Sequence, residues 1–241
     1  MQGTPKAPLS ASSPECALDS TTIYRFPEKN LLGNCANSGY LFPMHIRSAT
    51  FQISAPSLET CPVSDLPEFA FIGRSNVGKS SLLNMISGKR DLAVVSATPG
   101  RTKLINFFLI NNQWTLVDLP GYGHAQADKQ ERERFQQMIA TYLSGRENLA
   151  LVFVLIDGRH SPQQIDVDFV QWLSTYEVPY VLVFTKADKL KSGPLKQNIA
   201  QFQERLAGLC IAAPEVFTTS SKERNGRQEL LSAIQSVLDR L

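Results

Sequence analysis

Phe69-Ala-Phe-Ile-Gly-Arg-Ser-Asn-Val-Gly-Lys-Ser-Ser-Leu-Leu-Asn84 opens with an apolar run, passes through a glycine loop and ends as the first turn of a helix. Gly73, Gly78, Lys79 and Ser80 fit the pattern G-x-x-x-x-G-K-[ST] of a phosphate-binding loop. The spacing has a mechanical reason. Gly73 and Gly78 allow backbone dihedrals that a Cβ forbids. The segment Gly73, Arg74, Ser75, Asn76, Val77, Gly78, Lys79, Ser80 can then turn its N–H groups inward as an anion nest. The helix that follows adds the positive end of its dipole. The Lys79 ammonium can reach terminal phosphates, and the Ser80 hydroxyl can ligate a magnesium ion bound to them.

Outward from this loop, strands alternate with helical patterns. Upstream, Ala49–Ile53 reads as an edge strand, and Pro56 and Pro62 punctuate its connection to Glu68–Ile72. Downstream come a helix over Lys79–Ser87 and a loop over Lys89–Thr102. Next, Leu104–Ile110 and Trp114–Val117 flank Asn111-Asn112-Gln113, a hairpin signal. Phe135, Met138, Ile139 and Tyr142 stripe a helix over Ala127–Leu143, and Leu149–Ile156 has the unbroken apolarity of a strand buried on both faces. Ser161-Pro162 reads as a helix start, serine as N-cap and proline in the first turn, with Ile165, Phe169, Trp172 and Leu173 as the core stripe. Tyr180–Phe184 is a second buried strand, and Val216-Phe217 a short one. The helices between and after them carry Leu195, Ile199, Phe202, Leu206 and Leu230, Leu231, Ile234, Val237, Leu238, Leu241. This alternation predicts an α/β fold, a doubly wound, mostly parallel sheet with helices on both faces and one antiparallel strand from the hairpin.

The chain has 241 residues and a formal net charge of +2, which neither demands nor excludes nucleic acid. Cys16, Cys35, Cys61 and Cys210 have no metal-ligand spacing and read as free thiols of a reducing compartment. The longest apolar run is too short to span a bilayer. Residues 1–43 are rich in Ser, Pro, Asn and Gly and are expected to be a disordered N-terminal extension, with no secretory signal and with Met44 as an alternative start. The folded domain is expected over 44–241.

Two further strand ends carry chemistry, at the edge where open α/β sheets bind ligands. Asp118-Leu119-Pro120-Gly121 closes the strand Trp114–Val117, 45 positions beyond Gly73. A carboxylate there suits magnesium held through water, and Gly121 leaves room for a backbone N–H to face a third phosphate. Thr185-Lys186-Ala187-Asp188 follows the strand Tyr180–Phe184. The Asp188 carboxylate can accept from guanine N1–H and its exocyclic amine, a donor pair that adenine lacks, while the Lys186 stem covers the base. Backbone N–H groups of Thr219-Ser220-Ser221 can meet guanine O6.

The order of these segments resembles a translation-factor-class GTPase domain. Gly73–Ser80, Thr98-Pro-Gly-Arg-Thr102, Asn106-Phe-Phe108 and Asp118-Leu-Pro-Gly-Tyr-Gly123 resemble more narrowly the EngB family, also called YihA or YsxC, over Ile46 to Leu241. The resemblance implies a bacterial, cytoplasmic GTPase that assists assembly of the large ribosomal subunit and is linked to normal septation, with no role for a membrane or DNA. It implies GTP and GDP as ligands, and Mg2+ held by Ser80, by Asp118 through water and by Thr102 in the GTP state. It also implies switch segments at Gly100, Arg101, Thr102, Lys103, Leu104 and at Gly121 to Gly123. Lys79, Thr102 and Asn76 are the expected catalytic residues. Thr185 replaces the asparagine usual in GTPases. Tyr122 replaces a water-orienting glutamine, which implies slow intrinsic hydrolysis. Asn76 reads either as a turn former or as a ligand for K+. Arg101, Lys103, Lys189, Lys191, Lys222, Arg224 and Arg227 read as a candidate basic rim facing ribosomal RNA. Two other readings stay open: a P-loop kinase or ATPase, and a guanine-nucleotide-binding module that scarcely hydrolyses its ligand.

Overall fold

The computed structural model describes residues 44–93, 104–122 and 129–241. The expectations for residues 1–43, for Gly100 to Lys103 and for Gly123 lie outside them. A seven-stranded sheet runs in the order β1 (Ala49–Ala55), β3 (Ile105–Ile110), β4 (Trp114–Asp118), β2 (Glu68–Gly73), β5 (Leu149–Asp157), β6 (Tyr180–Thr185), β7 (Val216–Thr218). From β4 through β7 neighbouring strands are parallel, and β3 is antiparallel to both β1 and β4. The hairpin signal therefore becomes β3 and β4. Asn111 and Asn112 both take left-handed backbone at the turn, which asparagine tolerates better than most residues.

Side chains alternate along the central strands and supply two cores. Leu151, Phe153 and Leu155 of β5 face one side and pack with Leu82, Leu83 and Ile86 of α1 (Lys79–Ser87) and Leu230, Leu231 and Ile234 of α5 (Arg227–Leu238). Val152, Val154 and Ile156 face the other side. There they meet Tyr142 of α2 (Lys129–Gly145), Val167, Val170 and Leu173 of α3 (Gln164–Thr175), and Phe202 and Leu206 of α4 (Ser192–Gly208). Both faces of β2, β5 and β6 are thus covered, which is why these strands read as unbroken apolar runs.

Two expectations about α3 are corrected. The helix starts at Gln164, not at Pro162, with Gln163 as an extended N-cap. The Gln163 amide donates to the Ser161 carbonyl at 3.0 Å, so the Ser-Pro pair belongs to the entering turn. The buried stripe is Asp166, Val167, Val170 and Leu173, while Ile165 is exposed and Phe169 and Trp172 are half-buried. Leu173 is in the core as expected, and Phe169 and Trp172 pack against that core; of the expected stripe, Ile165 lies off it, and Asp166 takes a core position.

Candidate functional site

The site forms at the carboxyl ends of β2, β4 and β6. Gly78 holds φ 105°, a conformation that a side chain rarely adopts, and starts α1 as its N-cap. Gly73 needs glycine for a different reason from the one expected. It is not in the left-handed region, but a Cβ there would stand 2.7 Å from the Leu155 carbonyl oxygen and 2.9 Å from Val77 Cγ1. The loop must lie on β5, and only glycine is thin enough. Asn76 itself is left-handed, at φ 63°, and exposed. Val77 is buried at the loop's inner side, and Arg74 and Ser75 are half-buried. Lys79 is buried at the loop's end, where its ammonium donates to Asp118 Oδ1. Ser80 follows on the first turn of α1.

Asp118 is the last residue of β4 and is buried. Asn106 of β3 donates to its other oxygen at 3.4 Å and accepts from Ser54 Oγ of β1 at 2.6 Å. Leu119 and Pro120 are buried, and the Leu119 N–H donates to the Phe71 carbonyl at 3.1 Å. Gly121 lies directly on the phosphate loop: a Cβ there would meet the Gly73 carbonyl oxygen at 2.8 Å. The Tyr122 N–H donates to that same oxygen at 3.2 Å. The tyrosine hydroxyl donates to Asp166 Oδ1 at 3.0 Å, and the ring stacks on Phe169. Burial, the Asp166 charge and this bond push its pKa well above the ordinary phenol value, so it stays a neutral donor. Burial likewise raises the Asp166 carboxyl, against the pull of Arg74.

The third strand end is tied to the first. The Thr185 hydroxyl donates to the Val77 carbonyl at 2.6 Å, with the Ile156 carbonyl at 3.2 Å as a second acceptor. Lys186, left-handed at φ 59°, donates from Nζ to the Asn76 carbonyl at 2.6 Å and to Asp157 Oδ2 at 2.8 Å. Asp188 accepts from Ser220 Oγ at 2.8 Å, and that bond, the largest influence on it, holds its carboxyl below the usual range. The Ala187 N–H donates to the Thr219 carbonyl, and Ser220 pairs with Asn225 across a tight turn that contains Ser221. The second and third predicted motifs thus meet the phosphate loop. Leu104 is exposed just before β3, and Gly100, Arg101, Thr102 and Lys103 lie outside the described residues. Arg227 does not join the basic rim: its guanidinium caps α1, donating to the Met85 and Ile86 carbonyls at 2.8 and 2.9 Å.

Two polar residues of the site, Asp157 and Asp166, carry no expectation from the sequence. Asp157 ends β5 beside Thr185, just as Asp118 ends β4, and that parallel was the available signal. Burial opposes its ionisation, but hydrogen bonds from Arg159 and Lys186 outweigh burial and lower its pKa. Asn106, which the sequence shows only within Asn106-Phe-Phe108, links β1 to Asp118. Asp166 was hidden inside a helical stripe; a charged residue on a core face was its signal.

Magnesium asks for hard oxygen ligands and takes few from protein where phosphates supply the rest. No cluster of three or more His, Cys, Asp or Glu suited to a metal occurs among the described residues. One hydroxyl, Ser80, and one buried carboxylate, Asp118, flank the loop, and this set fits an ion held mainly through phosphate.

A nested phosphate loop after β2, an acidic end to β4 and a carboxylate turn after β6, all on one edge of this sheet, belong to the class of P-loop GTPases. A family profile described as a 50S ribosome-binding GTPase matches residues 68–186. The probable GTP-binding protein EngB of Christiangramia forsetii is 50% identical over 194 residues, 80% of this chain and 98% of its own. Its counterpart in Bacteroides fragilis is 50% identical over 80% of this chain and 96% of its own. The crystal structure of a probable GTP-binding protein EngB superposes with TM-score 0.59 at 24% identity, over 72% of this chain and 100% of that one. The chain belongs to the EngB family of GTP-binding proteins.

Proposed function

We propose that this chain is a GTP-hydrolysing switch that assists assembly of the large ribosomal subunit in the bacterial cytoplasm and is needed for normal cell division. The observation that carries the nucleotide part is the Asp188 carboxylate, fixed by Ser220 at the end of a strand whose Thr185 and Lys186 grip the phosphate loop. Base and phosphate subsites are thereby one construction. In it, Lys79 exchanges its Asp118 contact for phosphate oxygens. Ser80, Asp118 through water and, in the GTP state, Thr102 would hold Mg2+, which would neutralise charge on the phosphates. Gly121 offers its amide to the third phosphate. The ribosomal part is supported by the wording of the matching family profile and by exposed Lys191, Lys222 and Arg224 near the base-binding turn.

Tyr122 favours slow hydrolysis, because its hydroxyl is spent on Asp166 and cannot orient water. The same observation supports the second reading, a guanine-nucleotide-binding module with negligible hydrolysis. Competition between GTP and ATP decides the base. Single-turnover hydrolysis with and without large subunits separates switch from module. Co-sedimentation with large subunits is expected in the GTP-analogue state, weaker with GDP and weaker in higher salt. Equal pelleting with GDP and GTP analogue would refute a switch.

A further inference from the structure

Side chains from three elements meet behind the phosphate loop. Arg74 follows β2, Tyr122 follows β4, and Asp166 sits in the first turn of α3. Asp166 is 1% exposed and Tyr122 6%. One carboxylate oxygen, Oδ1, receives both the Tyr122 hydroxyl at 3.0 Å and Arg74 Nε at 3.2 Å. The other, Oδ2, is buried without a partner among the described residues. Burying a charge this deeply is costly unless it does something for the fold or the site. The first turn of α3 offsets part of that cost through its dipole. A helix core position would normally take Leu or Val, so the carboxylate needs a reason.

What it holds is the start of the segment after Asp118. Tyr122 is fixed three ways: the hydroxyl to Asp166, the ring on Phe169 at 4.4 Å, and the N–H to the Gly73 carbonyl at 3.2 Å. Gly121, its neighbour, is pressed onto the loop so closely that no Cβ fits. We propose that Asp166 is a positioning residue for triphosphate recognition: through Tyr122 it holds Gly121 against the phosphate loop, so the backbone that meets a third phosphate is set before binding. The proposal deepens the nucleotide reading above and rests on it. A diphosphate contacts the loop alone and gains nothing from a fixed Gly121. A triphosphate does gain, because a segment already held loses little conformational freedom on binding.

The test measures affinities for a fluorescent GDP and a fluorescent non-hydrolysable GTP analogue. It compares the full chain with Asp166→Ala, Asp166→Asn and Tyr122→Phe, with thermal unfolding recorded beside each. Asp166→Ala is expected to lose about tenfold in affinity for the GTP analogue, with GDP affinity within about twofold. Tyr122→Phe keeps the ring and its stacking and should move in the same direction by less. Asp166→Asn keeps an acceptor for the tyrosine and should recover most of the loss. Should Asp166→Ala fail to fold, Tyr122→Phe decides alone. An unchanged ratio of the two affinities in Tyr122→Phe, or an equal loss of both ligands, overturns the positioning role. Wild-type protein that binds neither nucleotide refutes the nucleotide reading itself, a result visible before any variant is compared.

Discussion

Asp188 and Asn76 have different roles in the proposed site and make separate predictions. Asp188 presents two acceptors, one steadied by Ser220. Asp188→Asn replaces an acceptor pair by a side chain with one donor. Charge-assisted hydrogen bonds contribute roughly 1.5–3 kcal/mol each, so GTP affinity should fall tens-fold while xanthosine triphosphate, with a carbonyl in place of the amine, binds relatively better. Competition titration checks this, and an unaltered preference for guanine removes Asp188 from the base site. Asn76 has the left-handed backbone of a turn former, and its carbonyl is engaged by Lys186. Its exposed side chain stays available for the other reading, a K+ ligand beside the phosphates. A cation there would stabilise charge developing in transfer. Hydrolysis is then faster in potassium than in sodium at equal ionic strength, and Asn76→Ala abolishes the difference with GDP binding nearly intact. Equal rates in the two salts leave Asn76 as a turn residue only.

Between elements, the most demanding contact lies at the end of the sheet away from the phosphate loop. Glu68 opens β2 fully buried and accepts from Tyr142 Oη of α2 at 2.7 Å, from Arg146 Nε at 2.9 Å and from Arg146 Nη2 at 2.6 Å. Arg146 also donates to the Pro62 carbonyl at 2.6 Å, tying the turn before β2 to the end of α2. Arg146→Ala leaves a buried carboxylate with one donor, and breaking such a pair costs on the order of 3 kcal/mol. The midpoint of denaturant unfolding should shift to match, with the nucleotide affinities of the folded fraction preserved. Cys61 lies beside this group, its thiol pushed up to about 11 chiefly by burial. It stays neutral in the fold after an unfolded thiol would ionise. The stability it lends is therefore whole below about pH 9 and is lost as pH rises toward 11. Peptide mapping after alkylation at mildly alkaline pH should find exposed Cys210 modified and Cys61 spared until the protein is denatured.

Across the whole molecule, the sequence was most readable where one physical demand acts alone. β2, β5 and β6 need apolar residues on both faces, and they announced themselves as such. The loop at Gly73–Ser80 needs glycine at fixed places, and the helix after it runs over Lys79–Ser87 as expected, while β2 extends one residue further, to Gly73. Readability failed where two demands compete for one position. α3 must cover the sheet and also carry Asp166 to the Tyr122 hydroxyl, so a carboxylate stands where the stripe calls for an apolar residue, and the helix starts at Gln164 rather than Pro162. Arg227 looked like surface charge because nothing in sequence shows that the end of α1, 142 positions before it, needs a cap. Gly73 was assigned a dihedral reason when the true one is the closeness of β5, a neighbour in space alone. The contacts that join the three motifs, Thr185 to Val77 and Lys186 to Asn76, lie beyond any local pattern for the same cause.

Lys186 has a kinetic meaning beyond its contacts. Its ammonium crosses from the Thr185–Asp188 turn to the phosphate loop at the Asn76 carbonyl and is anchored again on Asp157. In the proposed site this strap would couple release of the base to release of the phosphates. The strap is then expected to govern how long an occupant stays more than how fast one arrives. Lys186→Met keeps an apolar stem and cuts the strap. Stopped-flow chase of a labelled GDP should show dissociation faster by about tenfold, with the association rate close to that of the unaltered chain. In the cell, the residence time of the spent nucleotide, and with it the interval before the protein can be reloaded, would then be written largely in one lysine.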